Sequence, residues 1–258
     1  MADREPVLRA VLLGASNLKA GLPIVVDGIR RKAPGAVEVL TACGHGRSYG
    51  AWSRFLFVRR LPGIAGCGLW PALEERPPLR TLALLTDVGN DLVYGVPVER
   101  IASWIEICLD RLAFHRCEIV ITLLPLQRLE RLSPGQVRLA TALLFPGRKP
   151  SWPGLLEQAR ELDQRLRQMG QARGARLVEP AADWYGLDPI HLRRSLRREA
   201  WDRVVSGWPE DSETPGGLLK DLPRIPLFGA AELSLFGIAL RSAQPALRLA
   251  DGTTLALY

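Results

Sequence analysis

The chain has 258 residues, 47% of them hydrophobic, and a net charge of +7, so it can bury one substantial core and lies near the upper size of a single domain. No apolar run approaches the roughly 20 residues that a membrane-spanning helix needs. The mixed-charge start, Met1-Ala2-Asp3-Arg4-Glu5-Pro6, precedes an apolar stretch too short for a signal peptide, and the expectation is a cytoplasmic protein without a membrane span.

In chain order, apolar stretches of strand length occupy 7–13, 37–42, 79–86, 118–124 and 176–178, bounded by Gly, Pro or polar residues. Helix-length segments lie between and after them, near 17–33, 51–60, 97–114 and 153–170. In the last of these Leu155, Leu156, Ala159, Leu162, Leu166 and Met169 recur at helical spacing before Gly170 supplies a stop. Residues 61–78, with Gly, Pro and Trp70, read as an ordered loop. The proline-rich stretch 125–153 reads as an ordered insertion over the crevice side. From 207 to 220 the composition turns to Pro, Glu, Asp, Ser and Gly, a mobile connection. Apolar stretches at 233–240, 246–250 and 255–258 follow, and Asp251-Gly252 is a hairpin turn between the last two. Alternating strands and helices with right-handed crossovers predict a mostly parallel sheet covered on both faces. The ligand crevice of such a sheet lies beyond the carboxyl ends of its strands.

Among the 34 basic residues lysine stands only at 19, 32, 149 and 220. The arginines are scattered over most of the predicted helices and form no stripe with interleaved aromatics, which argues against nucleic acid as a partner. Cys43, Cys67, Cys108 and Cys117 show no C-x-x-C spacing, so neither zinc nor a disulfide framework is expected. No G-x-G-x-x-G follows the first strand, which argues against a dinucleotide. The sequence carries no signal for or against an oligomer.

Four polar clusters fall at the predicted strand ends or in the loop after the last strand: Gly14-Ala15-Ser16-Asn17, Gly44-His45-Gly46-Arg47-Ser48, Gly89-Asn90-Asp91 and Asp188-Pro189-Ile190-His191. A serine hydroxyl is a weak nucleophile until an imidazole takes its proton, and the imidazole needs an acceptor on its other nitrogen to fix its tautomer. Asp188 and His191 suit that pairing, because one helical turn brings residues three apart to the same side. The same residues also read as a helix start, with Asp188 as the N-cap and Pro189 as the first helical residue. Of the three histidines, His115 ends a predicted helix, where the helix dipole accounts for it. His45 is a candidate for contacting substrate or an alternative base, and the Asp-x-x-His arrangement favours His191. Attack on a carbonyl creates an oxyanion that needs preorganised donors. Gly46, with Gly44 as the alternative, and the Asn90 amide are the candidates. Ser16 or Asn17 also reads as the cap of the following helix. Arg47 is a candidate for holding an anionic substrate group. Tyr49, Trp52, Tyr94, Phe145 and Trp152 are candidates for pocket walls or for packing.

In order and placement these clusters resemble the four blocks of the SGNH hydrolases, also called GDSL-like esterases and lipases, and the resemblance runs from about residue 7 to about residue 205. Gly14-Ala15-Ser16-Asn17 matches the first block with Ser16 as nucleophile, Gly46 the second, Asn90 the third, and Asp188-Pro189-Ile190-His191 the last. Ala15 departs from the family's usual aspartate, a buried structural carboxylate, and Val88 from a glycine two residues before the asparagine. The resemblance implies a three-layer α/β/α sandwich with a flavodoxin-like parallel sheet of about five strands. Residues 1–206 would form the catalytic domain, 207–223 a flexible connection, and 224–258 a small β appendage packed on the same domain. It further implies ester hydrolysis by a Ser16-His191-Asp188 triad, with the oxyanion held by the N–H groups of Ser16 and Gly46 and by the Asn90 amide. No metal and no cofactor are required, and the substrate is a small-molecule, carbohydrate or lipid ester, with His45, Arg47 and Tyr94 as candidate substrate contacts. Acyl transfer would use the same residues. A catalytically silent α/β binding protein is the other alternative, and joint retention of Ser16, Asn90, Asp188 and His191 argues against it.

Overall fold

Strands buried on both faces set the architecture. The computed structural model describes residues 5–55, 59–144, 151–209 and 229–258. Its elements are β1 (Leu8–Leu13), α1 (Ser16–Arg30), β2 (Val37–Ala42), β3 (Ser53–Phe55), β4 (Arg59–Leu61), a 3-10 turn at Ile64–Gly66, α2 (Leu69–Glu74), β5 (Thr81–Leu85), α3 (Asn90–Val93), α4 (Val98–Phe114) and β6 (Glu118–Thr122). There follow α5 (Leu126–Glu130), α6 (Pro134–Leu144), α7 (Trp152–Ala172), β7 (Arg176–Val178), a 3-10 turn at Ala182–Trp184, α8 (Arg197–Val205), β8 (Glu232–Leu235), β9 (Ile238–Arg241), β10 (Leu247–Arg248) and β11 (Thr254–Leu257).

All six residues of β1 are buried, and successive side chains point to opposite faces of a sheet. Leu8, Ala10 and Leu12 therefore join one core cluster while Val11 and Leu13 join the other. The strand reads as a continuous apolar run because helices cover both faces. Helices α1 and α8 lie on the first face, and α2, α4 and α7 on the second. Helix α4 buries Val98, Ile101, Ala102, Ile105, Cys108, Leu109 and Leu112, a stripe at helical spacing whose fully buried Leu and Ile side chains each contribute roughly 1.5–3 kcal/mol. Helix α8 lies close on α1 because Gly21 has no side chain: a Cβ there would stand 1.8 Å from the Trp201 indole nitrogen.

The main sheet runs β10-β11-β2-β1-β5-β6-β7. Parallel pairing sets Leu13 opposite both Ala42 and Leu85, and Leu85 opposite Ile121. The strands thus finish nearly level, and the turns that follow β1, β2, β5 and β6 open on one edge.

The fold is the mostly parallel α/β/α sandwich expected, with corrections. The sheet has seven strands instead of about five, because the C-terminal β10–β11 hairpin joins it with β11 parallel to β2. Residues 51–60, expected as a helix, instead contribute β3 and β4 to a second sheet of order β3-β4-β8-β9. The crossover from β2 to β5 is made by the short α2, so no helix is needed at 51–60. Residues 61–78 contain α2 and the 3-10 turn at Ile64–Gly66, and the insertion at 125–153 holds α5 and α6. The apolar stretch at 233–240 forms the two strands β8 and β9, reversing at Phe236 and Gly237, both at positive φ. The expected connection at 207–223 lies mostly outside the described residues, as does Phe145. All four cysteines are free thiols. Among the described residues no helix is long and apolar enough to cross a membrane.

Candidate active site

Ser16 is the first residue of α1, immediately beyond the end of β1. The turn before it is tight: a Cβ on Gly14 would stand 2.6 Å from Thr86 Cγ2, so glycine is required there. Neither Ser16 nor Asn17 caps the helix. The cap comes from Asp87, at the end of β5, whose Oδ2 accepts the N–H groups of Ala15 at 2.8 Å and Leu18 at 3.1 Å. A carboxylate at a helix N-terminus is favoured by the exposed N–H groups and the helix dipole. Asp87 holds φ 60°, a left-handed conformation costly for a residue with a Cβ and concentrated at functional sites. The carboxylate at this helix start is thus supplied from the turn after another strand.

Asn17 fastens the loop that carries the histidine. Its amide nitrogen donates to Asp87 Oδ1 at 2.9 Å and to Ile190 O at 2.8 Å, and its Oδ1 accepts Leu192 N–H at 2.9 Å. Both chain neighbours of His191 are therefore held by one side chain. Residues 187–191 form a bend, not the helical turn expected, and no helix begins at Asp188. Asp188 Oδ1 instead accepts the N–H groups of Ile190 at 3.0 Å and His191 at 3.3 Å, an Asx-type turn. Its Oδ2 lies 2.5 Å from His191 Nδ1, and His191 Nε2 lies 2.9 Å from Ser16 Oγ. A carboxylate can only accept, so the ring proton sits on Nδ1 and Nε2 presents its lone pair to the hydroxyl.

The electrostatics match this arrangement. The hydrogen bond to Asp188 raises the imidazole above its ordinary pKa; burial opposes this, and the charges of Asp188 and Asp87 add to the rise. Burial works to raise the Asp188 carboxyl, but the hydrogen bonds from His191 and the Ile190 N–H outweigh it and hold the group below the usual carboxylate value.

The second and third clusters are held more deeply. Gly46 takes φ 67°, and its carbonyl accepts the Tyr94 hydroxyl at 2.8 Å. Among the described residues neither the Ser16 N–H nor the Gly46 N–H makes a hydrogen bond. The Asn90 amide donates to Arg47 O at 3.0 Å, which leaves its second N–H for another acceptor. Burial raises the neighbouring Asp91 carboxyl, while the Ser48 hydroxyl and the Tyr49 N–H, 2.8 Å from Asp91 Oδ2, restrain it.

Arg47 is corrected as a substrate contact: it is fully buried, and its guanidinium donates to Pro62 O at 3.2 Å and to Tyr258 O. It ties the glycine turn to the end of β11. Tyr49 is likewise a packing residue, its buried hydroxyl donating to Thr86 O at 2.6 Å. Tyr94 is exposed and braces the turn, Trp52 is exposed, and His45 is half-buried within the turn.

A cavity of about 110 Å³ with an open mouth runs from Ser16 and Asn90 across the C-terminal ends of β5 and β6. Its walls are largely apolar and include Leu124, Leu129, Trp152, Leu155 and Ala159 on one side and Trp184 on another. Gly46, His45, Arg47, Tyr94 and His191 are not among its lining residues. Among the described residues no three His, Cys, Asp or Glu side chains converge as metal ligands would.

Sequence reasoning missed Asp87 and the bridging role of Asn17. The local signal was an aspartate directly after an apolar strand and an asparagine beside the serine, but their partners lie 69 to 175 residues away in sequence.

No family model matches the chain, and no curated protein matches it. Solved structures do. Est24, a carbohydrate acetylesterase from Sinorhizobium meliloti, is 15% identical with a TM-score of 0.52, covering 77% of this chain and 97% of that one. The aryl esterase of M. smegmatis, in an inhibitor-bound form, is 13% identical with a TM-score of 0.51 over the same shares. The acetyl xylan esterase AlAXEase is 12% identical with a TM-score of 0.50, covering 78% of this chain and 100% of that one. The fold is the one these esterases share.

Proposed function

We propose that this protein is a serine hydrolase that cleaves carboxylic esters, with Ser16 as nucleophile, His191 as base and Asp188 as its orienter. The observation that carries the reading is the relay from Asp188 Oδ2 through the imidazole to Ser16 Oγ, at 2.5 and 2.9 Å. The esterase neighbours support it at the level of fold.

Nε2 takes the proton of Oγ as the Oγ–carbon bond forms, and the charge moves onto the carbonyl oxygen. The unused N–H groups of Ser16 and Gly46 and the second N–H of Asn90 are the donors for that oxyanion, and each such donor is worth roughly 2.7–4 kcal/mol of barrier. The tetrahedral intermediate collapses by breaking the carbon–alcohol oxygen bond, and His191 returns its proton to the leaving oxygen. Water then gives its proton to the same imidazole, attacks the acyl carbon, and releases the acid and free Ser16. Asp188 stays ionised throughout and stabilises the imidazolium.

A fluorophosphonate probe followed by mass mapping tests the assignment. The adduct is expected on Ser16 and is expected to vanish in His191→Ala; an adduct on any other serine overturns the site. Product analysis with p-nitrophenyl esters is expected to yield free acid, and acid replaced by a new ester on addition of an alcohol would make the protein an acyltransferase.

A further inference from the structure

We infer that the acyl half of the substrate is an apolar chain longer than acetyl, housed in the cavity beside Ser16; the inference rests on the esterase reading above. Direction comes first. The leaving oxygen must lie next to His191 Nε2 to receive its proton, and His191 is exposed and outside the cavity lining. The alcohol therefore projects toward solvent. The acyl substituent, on the other side of the carbonyl carbon, is directed past Ser16 and Asn90 into the cavity.

The chemistry of the lining selects what fits there. Leu124, Leu129, Trp152, Leu155, Ala159 and Trp184 offer apolar surface. The charged lining residue, Asp87, already accepts three hydrogen bonds from Ala15, Leu18 and Asn17. The Thr122 hydroxyl, which also lines it, donates to the Thr86 hydroxyl at 2.6 Å. A charged or multiply hydroxylated acyl group would give up more hydrogen bonds to water there than the few remaining polar groups of the lining, such as the Tyr185 hydroxyl, could return, a loss that buried polar groups rarely tolerate. An apolar chain gains with every methylene buried, while an acetyl group occupies only the space at Ser16. Several of these walls belong to α5 and α7, so the insertion at 125–153 and the helix after it shape the specificity.

The test is a p-nitrophenyl ester series of two, four, eight and twelve acyl carbons on the full chain. The value of kcat/KM is expected to rise from acetate to octanoate by up to about fourfold per methylene (~0.8 kcal/mol). Ala159→Leu places bulk on a buried wall of α7 and is expected to lower the octanoate-to-acetate ratio of kcat/KM at least tenfold. Leu155→Trp, at a half-buried position, is expected to lower the same ratio and covers the case in which Ala159→Leu does not fold. Acetate as the best substrate, or a ratio unmoved by both substitutions, overturns the inference. Fluorophosphonate labelling separates the two failures: Ser16 labelled with acetate preferred sinks the acyl chain alone, whereas Ser16 unlabelled sinks the esterase reading and the acyl chain with it.

Discussion

The two sides of the Ser16 hydroxyl are built differently. The histidine side is a bend at the surface, held by directional hydrogen bonds through Asn17, Asp87 and Asp188. The glycine side is interior, packed around the fully buried Arg47, Tyr49 and Asp91. Alignment on the first side depends on a handful of polar contacts that contribute little to global stability. On the second side the site and the core are the same structure. Damage to the first should therefore read out as lost rate, and damage to the second as lost stability.

The largest expected effect removes both sides' purpose. Ser16→Ala and His191→Ala should each lower kcat/KM for a p-nitrophenyl ester by about 10³-fold or more, with the thermal midpoint little changed. Residual activity within tenfold of the parent would remove Ser16 from the chemistry.

Next comes the hydrogen-bonded side alone. Asn17→Ala frees Ile190 O and Leu192 N–H, and a displacement of the imidazole by about 1 Å should cost roughly 100-fold in kcat. Thermal unfolding should shift much less than for an interior substitution. If Asn17→Ala unfolds the protein while the surviving fraction keeps its kcat, the contrast between the two sides fails.

Arg47→Met is the reciprocal experiment. It strands two buried acceptors, Pro62 O and Tyr258 O, at a cost of about 2–4 kcal/mol. Calorimetry should show a fall of about 4–12 °C in Tm, with kcat of the folded enzyme within tenfold. A kcat loss exceeding that of Asn17→Ala would instead make Arg47 a positioning residue.

The smallest effect sharpens the first side further. The base must be neutral, and Asp188 raises its pKa, so activity should rise with pH through a midpoint above the ordinary imidazole value. Asp188→Asn removes the largest raising influence and should move that midpoint down as the rate falls. Asp87→Asn removes a lesser one and should move it in the same direction by less. A pH–rate profile showing an upward shift in either variant would contradict the assignment of His191 as base.

Much of the site was legible because its residues sit at punctuation points. Ser16, Asn90 and the Asp188-x-x-His191 spacing each follow an apolar run, and strands ending level bring such turns to one edge. Arg47 was misread because charge beside a glycine turn looks exposed, and the oxygens that bury it belong to residues 62 and 258. The helix expected at 51–60 came from the alternation rule, which demands a crossover after β2 without saying that the short α2 would make it. The joining of β11 to β2 was likewise invisible, since an apolar stretch of four residues does not specify its partner strand.

The sequence by itself determined the two-faced apolar strands, the helical stripes between them and the polar clusters that make the candidate site, because periodicity and turn chemistry are local properties. Only the tertiary structure decided that Asp87 caps the helix of Ser16, that Asn17 holds the loop of His191, and that a largely apolar cavity lies beyond them. These depend on groups 69 to 175 residues apart in the chain meeting within hydrogen-bond distance, and no local pattern encodes such a meeting.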